Sequence, residues 1–196
     1  MNLNELITEV YTLTNRPDLV AETTSAVKAA TLKAHKTDFY SKDIYETGIQ
    51  FTESSYKQSL DYIALISNFR AFKYLRKADS FTDDEGVFFT VLTPEETVDS
   101  YGKNRTDVAY IAGRVLEIRS STNFQYAYLG CYVAPIITNA GYSSWVADLC
   151  PFAIVYEACR VIFKSIGYDE QSNTFTRLLA EEYELLKMSG LTDVGY

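Results

Sequence analysis

The spacing of apolar residues changes period twice along this chain, and that change narrows the possible folds more than any other feature. Over residues 2–38 and 150–189 apolar residues recur every three or four positions, and over residues 43–135 they mostly alternate. A period near 3.6 gives a helix one buried stripe, whereas a period of two gives a strand one buried face. The chain therefore reads as helices, then strands, then helices.

The first helix begins at Asn2, whose side chain can cap it, with Glu5 three residues on to complete a capping box. Leu3, Leu6, Ile7, Val10 and Leu13 form its stripe, and Asn15-Arg16-Pro17 ends it, since proline disfavours helical geometry in the residue before it. Pro17 and Asp18 suit the first turn of a second helix, with Leu19, Val20, Thr23, Val27, Ala30, Thr31 and Ala34 on one side. Near the C-terminus Pro151 opens a broadly apolar helix carrying Val155, Ala158, Cys159, Ile162, Phe163 and Ile166, of the kind buried among several others. Gly167 ends it, and Asp169 can cap a last helix with Phe175, Leu178, Leu179, Leu185 and Leu186, stopped by Gly190.

Strands are predicted over residues 44–51, 56–63, 87–92, 110–119 and 124–134, where aromatic and β-branched residues alternate with polar ones. Residues 64–77 carry both patterns, and a strand from Phe69 is the favoured reading. Asp83-Asp84-Glu85-Gly86 is a turn, and Thr93-Pro94-Glu95-Glu96 has the caps of a short helix. Each terminal hairpin needs a partner for its stripe, and each can supply the other's. The expected architecture is α+β: a four-helix bundle from residues 1–42 and 141–196, carrying an inserted antiparallel β lobe over residues 43–140.

A search for chemistry finds no catalytic constellation. His35 is the only histidine, and near the end of the second helix it reads as partly exposed beside the helix C-terminus. Cys131, Cys150 and Cys159 lack the close spacing of zinc ligands and read as reduced structural thiols. Ser25-Ala26-Val27-Lys28 and Ser54-Ser55-Tyr56-Lys57 match SxxK without the partner motifs that mechanism needs. No glycine-rich phosphate loop occurs, and the acidic turn lacks the ligand spacing of a calcium loop. The expectation is a protein that is not an enzyme and needs neither metal nor cofactor.

Apolar runs are too short to cross a membrane, and Met1-Asn2-Leu3-Asn4-Glu5 has no signal-peptide character, so an intracellular protein is expected. The formal charge is −8, which counts against general affinity for nucleic acid yet would suit a surface past which DNA slides. Two features point to partners. Arg70, Lys73, Arg76 and Lys77 interleave with Phe69, Phe72 and Tyr74, as candidate contacts to a partner or to DNA in a channel; their alternative role is to cover apolar neighbours with their stems. The 16 tyrosines include Tyr126, Tyr128 and Tyr132 on one predicted strand, and tyrosine is enriched both in strands and at interfaces.

The segments Leu3-Asn4-Glu5-Leu6-Ile7-Thr8-Glu9-Val10, Thr14-Asn15-Arg16-Pro17-Asp18-Leu19-Val20 and Ala26-Val27-Lys28-Ala29-Ala30 resemble the start of head–tail adaptor (head-completion) proteins of tailed bacteriophages. The likeness runs through Asp38-Phe39-Tyr40 into the first strand, and the C-terminal helical pair matches the family layout. The resemblance implies a ring, usually of twelve copies, placed under the portal in the virion neck and lengthening the DNA channel towards the tail. It implies that the helical part contacts neighbouring copies, that Lys187–Tyr196 grips the portal, and that the β lobe meets a tail or nozzle protein. Lys187, Met188, Leu191, Val194 and Tyr196 become the candidate portal contacts. The family has no point motif, so no other residue role carries over. Another neck, baseplate or tail-tube component, a small-ligand-binding protein, or a hydrolase using a carboxylate pair remain the alternatives.

Overall fold

The computed structural model describes residues 1–82, 86–98 and 101–190. The expected turn at Asp83-Asp84-Glu85, and Leu191, Val194 and Tyr196 among the portal candidates, lie outside the described residues. In chain order the elements are α1 (Leu3–Thr14), α2 (Val20–Lys36), β1 (Ile44–Asp61), α3 (Tyr62–Leu65), β2 (Phe69–Ala78), β3 (Val87–Phe88), β4 (Thr90–Val91), β5 (Val108–Ala112), β6 (Val115–Val133), α4 (Trp145–Leu149), α5 (Pro151–Ser165) and α6 (Asp169–Gly190). They divide into a helical unit, residues 1–43 with 134–196, and a β unit, residues 44–133.

In the helical unit, Asn2 Oδ1 accepts from the Glu5 amide at 3.0 Å and Glu5 Oε2 from the Asn2 amide at 2.9 Å, closing the box that starts α1. Asn15 ends α1 in the left-handed conformation that asparagine tolerates better than most residues. α5 is central: Ala153, Ile154, Val155, Ala158, Cys159, Ile162 and Phe163 are all buried, and α1, α2, α4 and α6 pack around it. So broad a buried surface needs neighbours on several sides.

The helical unit is not a four-helix bundle. Among the described residues five α-helices build it, because residues 145–149 form α4, capped by Ser144, whose Oγ accepts from the Ala147 amide at 3.3 Å. At five residues α4 is too short to show a helical period, yet Val146 and Ala147 are buried in the core. The second segment of the unit runs from Ala134. Residues 140–142 are bonded to the start of α1, with the Asn4 amide donating to the Ala140 carbonyl and the Leu3 amide to that of Tyr142.

The inserted lobe is likewise built differently from the expected antiparallel one. It is a mixed six-stranded sheet, nearly closed into a barrel. β6 is its spine. Antiparallel β1 runs along one side of it, while on the other β5 pairs with residues 115–119 and β2 with residues 126–133. β3 extends from β2, and β4 pairs with β5 in parallel.

Two physical features hid this layout. The interruptions in alternation near residues 51–56 and 119–124 are register shifts inside β1 and β6, so single long strands continue through them. A bulge changes which face a residue occupies without ending the strand. Conversely, the predicted strand over residues 110–119 is broken by a two-residue hairpin turn at Gly113-Arg114, where Ala112 pairs with Val115 and Gly113 has φ +62°. Asp61 caps α3, so the strand stops there instead of reaching residue 63.

The β core gathers Ile49, Phe51, Leu75, Phe89, Leu116, Ile118, Phe124, Ala127, Leu129 and Cys131. Phe124 meets Phe51 edge-on at 5.6 Å and lies tilted against Phe89 at 5.5 Å. Leu75, Leu116, Ile118 and Leu129 are fully buried, each contributing about 1.5–3 kcal/mol relative to exposure.

Candidate interaction surfaces

Alternation along the C-terminal half of β6 sends Ala127, Leu129 and Cys131 into the core, and Tyr126, Tyr128, Gly130 and Tyr132 to the other face. Opposite them stand Gln50, Gly48, Glu46 and Ile44 of β1, and Ala78, Arg76, Tyr74 and Ala71 of β2. Two glycines on this face are crossed by aromatic rings. Tyr74 lies over Gly130 so closely that a Cβ there would collide with the ring, and its hydroxyl donates to Glu46 Oε2 at 2.5 Å. Phe81 lies over Gly48 in the same way and meets Tyr126 at 5.0 Å and Tyr128 at 5.9 Å, while the Tyr128 hydroxyl donates to its carbonyl at 2.8 Å. Burial and the hydrogen bond to Glu46 push the Tyr74 phenol up to about 12.

Part of the sequence-predicted basic cluster belongs to this face. The Arg76 guanidinium lies 4.6 Å from the centre of the Tyr128 ring, and the Lys73 ammonium 6.0 Å from that of Tyr132. Lys77 is separated from them. It stands opposite core-facing Ala127, and its ammonium donates to Ser120 Oγ at 3.3 Å and Thr122 Oγ1 at 2.8 Å. Arg70 is half-buried at the start of β2. At the margin Phe88 is 61% and Val87 55% exposed, with Phe88 edge-on to Tyr74 at 5.7 Å. The result is a braced aromatic surface bearing positive charge.

A second surface forms at the end of α6 in the helical unit. Leu179 and Leu186 face inward, while Leu178, Leu185 and Met188 are exposed, Met188 at 78%. Lys187, the other described portal candidate, donates to Glu184 Oε1 at 3.1 Å, and that bond raises its pKa. The helix end is fixed because Gly190 sits directly against the Tyr40 ring and Trp145, where a Cβ would not fit. Tyr40 is fully buried, with its hydroxyl 2.7 Å from Thr37 Oγ1.

The groups most suited to chemistry are enclosed. His35 is buried, contrary to the exposed position read from sequence; its Nδ1 is 2.7 Å from Asp43 Oδ1, which also accepts from Trp145 Nε1 at 2.7 Å. The pairing was not legible because the two residues belong to different elements, α2 and the turn before β1. Glu157 is buried on α5, accepting from Lys33 at 2.7 Å and from both Nε and NH2 of Arg160 at 3.0 and 2.8 Å. Burial alone would raise its pKa, but these hydrogen bonds outweigh it and hold the carboxyl below its ordinary value. Burial pushes the thiols of Cys131 and Cys159 up to about 11 and about 12, disfavouring the reactive thiolate. Among the described residues no group of three or more His, Cys, Asp or Glu side chains could hold a metal ion, and no helix is long and apolar enough to cross a membrane.

No protein-family model matches this chain, and no curated protein is significantly similar to it.

Proposed function

We propose that this chain is a structural protein of a phage virion, a head–tail adaptor that assembles as a ring beneath the portal and lengthens the DNA channel towards the tail. The observation that carries the reading is the braced aromatic and basic face of Tyr74, Arg76, Phe81, Tyr126 and Tyr128, on a chain where His35, Asp43 and Glu157 are held in buried internal pairs. Rigid aromatic area with attached arginine is what protein interfaces favour, since little side-chain entropy is lost when a partner covers it. The resemblance of residues 3–51 to adaptor proteins supports the same reading. In it, the exposed end of α6 and the residues after it grip the portal, and the β face meets a neighbouring copy or the next tail component. A ring closes through a heterologous contact, which needs two different surfaces on one chain.

Co-sedimentation of the purified chain with portal rings tests this. Saturable binding at a fixed ratio of chain to portal is expected; binding to isolated tail components and not to portal would reassign the chain to another part of the neck or tail. A chain that binds neither, and never associates with itself, contradicts the proposal.

A further inference from the structure

A cavity of 260 Å³ in the β unit is lined by Tyr56, Lys57, Asn104, Arg105, Thr106, Arg119 and Ser120. Three of these seven side chains are cationic and none is a carboxylate, in a chain whose formal charge is −8. Lys57 and Arg119 are directly opposite each other in the β1–β6 ladder, beside the register shift between Ser55 and Lys57. Like charges facing each other across an antiparallel pair repel and destabilise it. This sheet keeps such a pair and brings Arg105 to it as a third cation.

Among the described residues three carboxylates, Glu96, Asp107 and Glu117, stand near these cations, yet none of them lines the cavity. The Lys57 ammonium makes a long ion pair with Glu117 Oε2 at 3.9 Å, and the Glu96 carboxyl, whose pKa is lowered chiefly by its hydrogen bonds from Thr93, also feels the charge of Arg105. Arg119 donates to a neutral acceptor, Asn104 Oδ1 at 2.9 Å, and lies 5.6 Å from the centre of the Tyr110 ring. Asp107, next to the cavity, is already engaged by Ser120 Oγ at 3.2 Å and by the Ser121 amide and hydroxyl, each at 3.0 Å.

The walls are fixed in place. The Arg105 amide donates to the Thr97 carbonyl at 2.8 Å, Asn104 bridges to Val98, and Asp107 holds a left-handed conformation (φ +57°) that its serine contacts stabilise. The backbone around the cavity is therefore held in place, and Lys57, Arg105 and Arg119 all line the same depression.

We propose that this cavity is an oxyanion site that takes a phosphate group. A tetrahedral phosphate carries more charge than a carboxylate and presents oxygens in several directions outside one plane, which suits three cations placed around a depression. The hydroxyls of Tyr56 and Thr106 and the amide of Asn104 supply neutral donors at the rim. Bound anion would also relieve the repulsion between Lys57 and Arg119. The phosphate can come from a free phosphate ion or from a nucleic-acid backbone, whose chemistry at the site is the same. The inference stands independently of the adaptor reading.

The test titrates the full chain with inorganic phosphate at constant ionic strength, following backbone amide resonances at residues 57, 105 and 119. A short oligodeoxynucleotide is titrated in parallel. Saturable shifts confined to the cavity are expected, with Lys57→Ala and Arg105→Ala each weakening binding roughly tenfold, the loss of one charged hydrogen bond. Both side chains are exposed, and thermal unfolding without phosphate should leave Lys57→Ala no less stable than the parent. If the oligodeoxynucleotide saturates the same resonances, the source is a nucleic-acid backbone; if only the free ion does so, the source is free phosphate. Absence of saturable shifts with both ligands, or binding unchanged in both variants, overturns the proposal.

Discussion

Replacing Gly130 by alanine tests the bracing of the aromatic face. The new Cβ would overlap three atoms of the Tyr74 ring, so the ring must leave the strand and release Glu46. Overpacking of this kind costs about 1–3 kcal/mol. The lost hydrogen bond to a carboxylate adds at most about 1.5–3 kcal/mol, and less here because the pair is exposed. Against this, alanine in a strand recovers about 0.5–1 kcal/mol of backbone entropy relative to glycine. The expected net destabilisation is about 2–3 kcal/mol. A double-mutant cycle isolates the cause: once Tyr74→Ala has removed the ring, Gly130→Ala should be neutral or mildly stabilising, leaving a coupling of about 2 kcal/mol. Urea unfolding followed by far-ultraviolet circular dichroism is the assay, because the single tryptophan, Trp145, reports on the helical unit and not on the sheet. A Gly130→Ala protein as stable as the parent, or additive behaviour in the cycle, would refute the reasoning.

Three further outcomes are expected. Since the folded Tyr74 phenol titrates at about 12 and its ordinary value is 10, its contribution is intact below pH 10 and lost as pH rises towards 12; the difference between parent and Tyr74→Phe in alkaline unfolding should show that loss. Glu157→Gln should cost the helical unit about 1–3 kcal/mol by Trp145 fluorescence, and because the Glu157 pKa is depressed, the stabilisation should be present above pH 4.5 and fade as pH falls through the folded value, a trend missing in the variant. Met188→Asp, at a highly exposed site, and deletion of Leu191–Tyr196 should each weaken portal binding in co-sedimentation, while the thermal midpoint of the free chain stays put.

Sequence period revealed the helices α1, α2, α5 and α6 because each turns several times and buries a repeating stripe, as Leu6, Val10, Val27, Ala34, Ile162 and Leu186 do. It missed α4, which completes less than two turns, and so suggested a bundle of four. Alternation revealed β residues but not strand identity. Bulges in β1 and β6 imitate loops, and the tight turn at Gly113 imitates a continuous strand. Gly130 and Gly48 carried a usable signal, since glycine inside a strand marks a close approach, but the ring that approaches comes from another part of the chain. The run from Arg70 to Lys77 reads as one basic cluster in linear sequence, but adjacent strand residues point to opposite faces, so Arg76 meets Tyr128 while Lys77 meets Ser120 and Thr122. The phosphate cavity was invisible to a linear reading, because Lys57, Arg105 and Arg119 meet only through the sheet and its loops.

The most direct test of the adaptor account is electron cryomicroscopy of intact phage particles with this chain localised in the density. A ring of copies at the neck, in contact with the portal, is the predicted image. Density for the chain in the capsid shell, tail tube or baseplate, or none in the mature particle, would contradict it.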